Sequence, residues 1–300
     1  MSALIEFFVR GQEYFIHLGI LICIYLILAQ SFNLSFGVAR IFNLAHVAAY
    51  ALGAYATALL STDYGRGFFV CTIASMCVSA LLAVLLGAIA LRLTQDYFAI
   101  GTLAFSAVIS ALLINWKSLT RGVLGIPGIP RPEILDIDFY ANRNFLMLAA
   151  LMALATLIIL HRLFRASYGR QLRAQGESEL VSLALGIPTR MLRNLSFVIA
   201  SSFAGLAGSL FAYYMNYIDP SSFALHEMVF VLTIVVVGRP GSFFGVVGST
   251  FLLVLLPEPL RFMEIPSSIL GPMRQMIYAL ILFAVVYVNR YRLFPVQRTV

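Results

Sequence analysis

Residues 68–91 read FFVCTIASMCVSALLAVLLGAIAL, an apolar run without a single charge. At helical rise such a run is long enough to cross the roughly 30 Å hydrocarbon core of a bilayer. A helix that is apolar on every side belongs inside a large core or in lipid. Comparable blocks recur at 15–32 (FIHLGILICIYLILAQSF), 144–160 (NFLMLAALMALATLIIL) and 275–288 (QMIYALILFAVVYV). Only 11% of the 300 residues are charged and 61% are hydrophobic. A soluble domain carries about a quarter charged residues, so the mean hydropathy of +0.93 excludes an ordinary soluble core. Only helices and closed barrels satisfy their backbone groups in lipid. The sequence therefore predicts an all-α, polytopic integral membrane protein.

Spans are expected at roughly 15–33, 42–60, 68–91, 97–115, 144–160, 195–214, 222–238, 242–257 and 274–290. Because 34–52 reads as a broken or re-entrant segment, the expected number of crossings is eight to ten. No Pro-, Ser- or Gly-rich linker divides the chain, so one transmembrane domain over 1–300 is expected. The start of the sequence lacks a small-residue cleavage site after a short apolar core, and the first block is expected to be retained. The net charge of +7 is what basic membrane loops produce, and it gives no reason to invoke nucleic acid. Cys23, Cys71 and Cys77 all fall in apolar blocks and are expected to pack rather than to pair or bind metal.

Two basic regions test the orientation independently. The loop 161–194 carries Arg162, Arg165, Arg170, Arg173, Arg190 and Arg193 against Glu177 and Glu179. The tail carries Arg290, Arg292 and Arg298 and no acid. Both should be cytoplasmic, and the even number of spans between them agrees with that. The loop 116–143 and the short loops near 219 and 258–273 are then external.

The most polar internal stretch is GRQLRAQGESELVSLALGIP, 169–188. Arg170, Arg173 and Glu177 share a helix face, Gly186 offers a C-cap and Pro188 stops the helix. A short cytoplasmic helix over 169–186 is predicted, either simply solvated or serving as a docking surface. Further inside, Arg40, Asn43 and His46 recur every three residues and would share a face if the segment is helical. Ionisable groups at that depth face either a cavity or a hydrogen-bonded neighbour. In GRPGSFFGVVG, 238–248, the glycines suit close helix packing, and a Gly/Pro break could also present free backbone groups to a solute. The small residues of SSFAGLAGSL, 201–210, indicate packing alone. HEMVF at 226–230 lacks the second histidine of a zinc helix.

The 169–188 stretch resembles the cytoplasmic loop of ABC importer permeases, through Gly169-Arg170, Ala174 with Glu177 and Glu179, and Ala184-Leu185-Gly186-Ile187. DYFAIGTLAFSAVI (96–109), TRGVLGIPGIPRP (120–132) and VVVGRPGSFFGVVGS (235–249) are similar to further blocks of the branched-chain amino acid permeases of the LivH/LivM family. FNLAHVAAYALGAY (42–55) is closer to the H-type subunit, whereas the other blocks favour the M-type. Arg121, and the pair Arg239-Pro240, depart from the family glycines.

The resemblance implies a permease subunit of a binding-protein-dependent ABC importer in the bacterial inner membrane. Its partners would be a second, H-type permease subunit, two cytosolic ATPase subunits and a periplasmic solute-binding protein, all within membrane lipid. Gly169, Arg170, Arg173, Ala174, Glu177, Ala184 and Gly186 are the expected ATPase-coupling residues. Asn43, His46, Thr102, Gly238 and Ser242 are the expected translocation-path residues. The phosphate-binding loop G-x-x-x-x-G-K-[ST] needs a lysine, and the only one, Lys117, has no glycine near it. ATP and Mg would therefore be used by separate chains, and no cofactor, catalytic residue or metal is expected here. The competing reading is an ion-coupled secondary transporter or channel acting without ATPases. That reading needs buried acids, and the expected spans hold essentially one, Glu227.

Overall fold

The computed structural model describes residues 2–90, 95–134, 137–261 and 267–288. The helices are α1 (Ser2–Phe32), α2 (His46–Thr62), α3 (Phe68–Ala90), α4 (Gln95–Asn115), α5 (Lys117–Thr120), α6 (Asn142–Arg165), α7 (Ser167–Glu177), α8 (Glu179–Ala184), α9 (Thr189–Met215), α10 (Leu225–Val237), α11 (Phe243–Leu255), α12 (Glu258–Arg261) and α13 (Ser267–Val288). Each of the nine expected spans coincides with a helix. Among the described residues, seven segments are long and apolar enough to cross a membrane, the first being Gln12–Val38. The two others are short, with 17 residues in α2 and 13 in α11.

Cross-chain contacts sort these helices into a bundle with two distinct ends. At one end Asn142 donates to Glu13 at 2.9 Å, Arg121 pairs with Asp63 at 2.9 Å and Tyr14 donates to Glu258. A small antiparallel pair, β1 (Ile126–Pro127) with β4 (Tyr217–Ile218), lies at this loop end, and β2 (Glu133–Ile134) pairs with β3 (Ile137–Asp138) in the same connection. At the other, arginine-rich end, Val38 and Arg40 meet Gly176 and the Phe243 ring meets His161 and Phe164. Successive long helices alternate between the two ends. The charged tail 289–300 and Glu264 lie outside the described residues.

The core is built on α2, α3 and α9, whose small residues let backbones touch. A Cβ on Gly53 would meet the Gly205 backbone, and one on Gly208 would meet Tyr50 and Ala54. Ser75 donates to the Gly205 carbonyl at 2.6 Å and Ser79 to the Ala49 carbonyl at 2.7 Å, satisfying hydroxyls that lipid could not. Buried side chains from these helices and from α1, α6, α10 and α11 form one continuous cluster. Large apolar side chains point outward as well, including Phe69, Ile73, Leu81 and Leu85 on α3. Cys23 and Cys71 pack within the bundle as expected, but Cys77 is exposed on its surface.

The break between α1 and α2 differs from the expected helical face. Asn33–Val38 continue α1 as a π-helical segment, Arg40 takes a left-handed φ of 53° and regular structure resumes at His46. Arg40, Asn43 and His46 therefore do not share a helix face. The expectation failed because three-residue spacing identifies a face only where the backbone is helical.

Candidate functional site

At the arginine-rich end α6 turns sharply into α7 through the extended residue Ala166 (ψ 170°). The turn brings Gly169 against the Leu163 and Phe164 carbonyls, where a Cβ would stand 2.6 Å from the Leu163 oxygen. Arg170 donates to the Arg165 carbonyl at 3.1 Å and to the Ser167 hydroxyl at 3.0 Å, and Arg173 donates to the Phe164 carbonyl at 3.3 Å. The last carbonyls of a helix lack intrahelical donors and attract cations. Both arginines thus hold the corner while their side chains remain exposed. Burial raises the Tyr168 hydroxyl, outweighing a lowering bond from Ser196, and Tyr168 donates to the Leu192 carbonyl at 3.3 Å.

The expected single helix over 169–186 is two helices with a corner at Ser178. Its φ/ψ of −154°/110° ends α7, and its hydroxyl accepts from the Val181 amide at 3.4 Å, capping α8. The signal was present in Gly176-Glu177-Ser178-Glu179, a serine followed by an acid in the first turn. Gly186 closes α8 at φ 76°, where the Ile187 amide reaches the Ser182 carbonyl at 3.0 Å, as the C-cap expectation required. Glu179 accepts from Thr189 and from Arg193, each at 3.4 Å, and this fixes α8 to α9. Two exposed faces result. On α7, Arg170, Arg173, Ala174 and Glu177 point out while Gly169, Leu172 and Gln175 point in. On α8, Ala184 is exposed beside Leu180, Val181, Leu183 and Leu185, with Leu180 81% exposed.

The five residues expected on a path fall into two groups. Asn43, His46 and Thr102 are fully buried near the start of α2. Thr102 accepts from the Leu44 amide at 3.1 Å, Asn43 accepts from the Ala45 amide at 2.9 Å, and the His46 Nε2 lies 3.1 Å from the Ser31 hydroxyl. Asn43 Nδ2 and His46 Nδ1 have no hydrogen-bond partner among the described residues. Gly238 and Ser242 instead line a crevice of about 390 Å³ on the α10–α11 hairpin, with Arg239, Phe244, Gly245 and Gly248.

This hairpin packs along α1, with Phe230 on Tyr25 and the turn 238–242 beside Asn33. Gly238 and Gly245 leave no room for a Cβ, as the packing reading predicts, whereas a Cβ on Gly248 would meet nothing. Ser242 caps α11 by accepting from the Gly245 amide at 3.2 Å, and the turn holds Arg239 at φ 65° and Gly241 at φ 83°. Among the described residues no cluster of three or more histidines, cysteines or acids could hold a metal.

Two features escaped the sequence reading. Gln30 and Asn33 bind the turn of the hairpin: Gln30 donates to the Phe243 carbonyl at 2.7 Å and Asn33 accepts from the Gly241 amide at 2.8 Å. At the loop end, Arg131 donates to the carbonyls of Phe139 and Tyr140 and to Asn142 and Asn216, and its guanidinium lies over Phe145 and Tyr214. Arg131 lies in the 120–132 block, but nothing in that block marks its partners. The bonds of Gln30 and Asn33 to the hairpin, and of Arg131 to Asn216, join residues far apart in sequence.

The family described as branched-chain amino acid transport system, permease component, matches residues 14–286. The chain is 34% identical over 280 residues to a high-affinity branched-chain amino acid transport system permease protein LivM of Escherichia coli, covering 85% of this chain and 66% of the relative. A protein of the same description from Salmonella typhimurium is 35% identical over 272 residues, covering 83% and 64%. A probable branched-chain amino acid transport permease protein LivM of Methanocaldococcus jannaschii is 28% identical over 259 residues, covering 74% of each. The chain thus spans just under two thirds of the length of the first two relatives. No solved structure matches it. Helix content, seven membrane-length segments and a family match over most of its length lead to one assignment: the chain belongs to the branched-chain amino acid transport system permease family.

Proposed function

We propose that the chain is the transmembrane permease subunit of a binding-protein-dependent ABC importer in the inner membrane. It forms part of the path for branched-chain amino acids or related small polar, amide or aromatic solutes. The α7–α8 elbow supports this reading most strongly. It presents an Arg/Glu face beside exposed leucines, at the end whose basic charge marks the cytoplasm. An elbow fixed to α6 by Arg170 and Arg173, and to α9 by Glu179, carries a push into two long helices. Separate ATPase subunits bind Mg and ATP and supply that push. An H-type permease completes the path, and a periplasmic binding protein meets residues 117–132 of the external loop. Rigid rocking of packed helices then alternates access.

The test is reconstitution with the candidate ATPases, the second permease and the binding protein. Uptake of radiolabelled leucine should require ATP inside the vesicle and every component. Glu177→Arg combined with Leu180→Asp should abolish ATPase co-purification while membrane insertion persists. Leucine uptake by this chain alone, without ATP, would refute the assignment.

A further inference from the structure

The route from the elbow to the crevice runs through the π-helical segment 33–38, which the reading above leaves without a role. At one end, Gly176 of α7 lies directly on this segment. A Cβ there would come 3.1 Å from the Val38 carbonyl and 3.2 Å from Arg40 Cγ. At the other end, Gly37 is pressed against the hairpin turn, where a Cβ would overlap the Gly241 amide and stand 3.0 Å from the Pro240 carbonyl carbon. Asn33 makes the join directional. Its Oδ1 accepts from the Gly241 amide at 2.8 Å, and its Nδ2 donates to the Ser242 carbonyl at 3.3 Å and to Gln30 at 3.4 Å. Asn33 is fully buried, so none of these bonds has a solvent alternative. π-helical turns are rare, occur mostly as short interruptions of α-helices and are frequent at functional sites.

We infer that Asn33 is a positioning residue for transport, the fixed link through which movement of α7 at Gly176 is passed along 33–38 to the turn 239–242 and so to the crevice. The inference rests on the importer reading. Gly37 meets the Gly241 and Pro240 backbone directly, and Gly176 meets the Val38 carbonyl beside the stem of Arg40. Such a contact transmits displacement instead of absorbing it. Val38 is buried, which keeps the strut within the bundle between its two contacts. Gln30 steadies the same turn from one helical turn earlier by binding the Phe243 carbonyl at 2.7 Å.

The experiment measures ATP hydrolysis and solute uptake together in vesicles holding the complete complex. Asn33→Leu keeps the branched shape of the side chain and removes the bonds to the turn. The expected result is an assembled complex whose ATP hydrolysis stays within about twofold, while uptake per ATP falls about tenfold, the scale set by two buried hydrogen bonds. Asn33→Asp retains the oxygen that receives the Gly241 amide and should recover part of the uptake. Gly176→Leu perturbs the other end of the strut from the bundle surface and should give the same separation of hydrolysis from uptake, whether or not Asn33→Leu assembles. Equal loss of hydrolysis and uptake in the variants that assemble, or unchanged uptake in Gly176→Leu, overturns the inference. A wild-type complex without ATP-dependent uptake overturns the importer reading itself, and the inference with it.

Discussion

Replacing Arg131 by alanine should loosen the whole loop end of the bundle. The guanidinium donates to the Tyr140 carbonyl at 2.7 Å and to Asn142 at 2.9 Å, with longer bonds to the Phe139 carbonyl at 3.3 Å and Asn216 at 3.4 Å. It also lies 5.6 Å from the centre of the Phe145 ring and 5.7 Å from that of Tyr214. The two short bonds, partly solvated, contribute about 1 kcal/mol each, and the two long ones together about 0.5. The two ring contacts add about 0.5 each. The sum is about 3–4 kcal/mol, or a fall in Tm of roughly 6–10 °C at the scale known for large domains. Arg131→Lys keeps the charge but loses the fork, and should show about half the effect. The assay is thermal unfolding in nanodiscs, with protease cutting within 116–143 as a local readout. If Arg131→Lys matched wild type in both, the forked clamp would not be what holds the loop.

A second prediction concerns acid. Burial alone would raise the Asp219 carboxyl, but the Ser221 and Ser222 hydroxyls and the Ser222 amide outweigh it and hold the group below its ordinary value. A depressed carboxylate adds stability above its unfolded pKa of about 3.9, and the contribution is lost as pH falls through the folded value. Asp219→Asn should therefore unfold at a lower temperature than wild type at pH 7, and the gap should close below about pH 4. A third prediction tests orientation: in a variant with Ser178→Cys and the native cysteines replaced, an impermeant maleimide should label only inverted vesicles. Labelling of right-side-out cells would reverse the assignment of the two ends.

Length and charge alone made the helices legible, because lipid leaves the backbone few alternatives. Every apolar block became a helix, and the Gly186 cap and the packing glycines at 205 and 208 behaved as small residues at close approach should. The failures cluster where the backbone leaves the α-helix. Asn33–Val38 is set by tertiary contact with the hairpin turn, whereas the corner at Ser178 carries a local cap signal that contact with α9 reinforces. Periodicity cannot report such contacts, so Asn43 and His46 were grouped with Arg40, which is exposed and left-handed. The Gly/Pro break marks Gly238 and Ser242, which lie beside the crevice, whereas Asn43, His46 and Thr102 are buried elsewhere.

The α10–α11 hairpin carries one further consequence. With 13 residues, α11 is about 20 Å long against a hydrocarbon layer of roughly 30 Å. Its turn nevertheless packs against the last turn of α6 through Phe243, with Arg239 exposed beside it. A leg of that length makes the bilayer thin beside the hairpin or give way to water or another protein. Mismatch of this size makes this short leg of the bundle sensitive to lipid thickness. The chain length of the surrounding lipid thereby becomes a variable that acts on the crevice from outside.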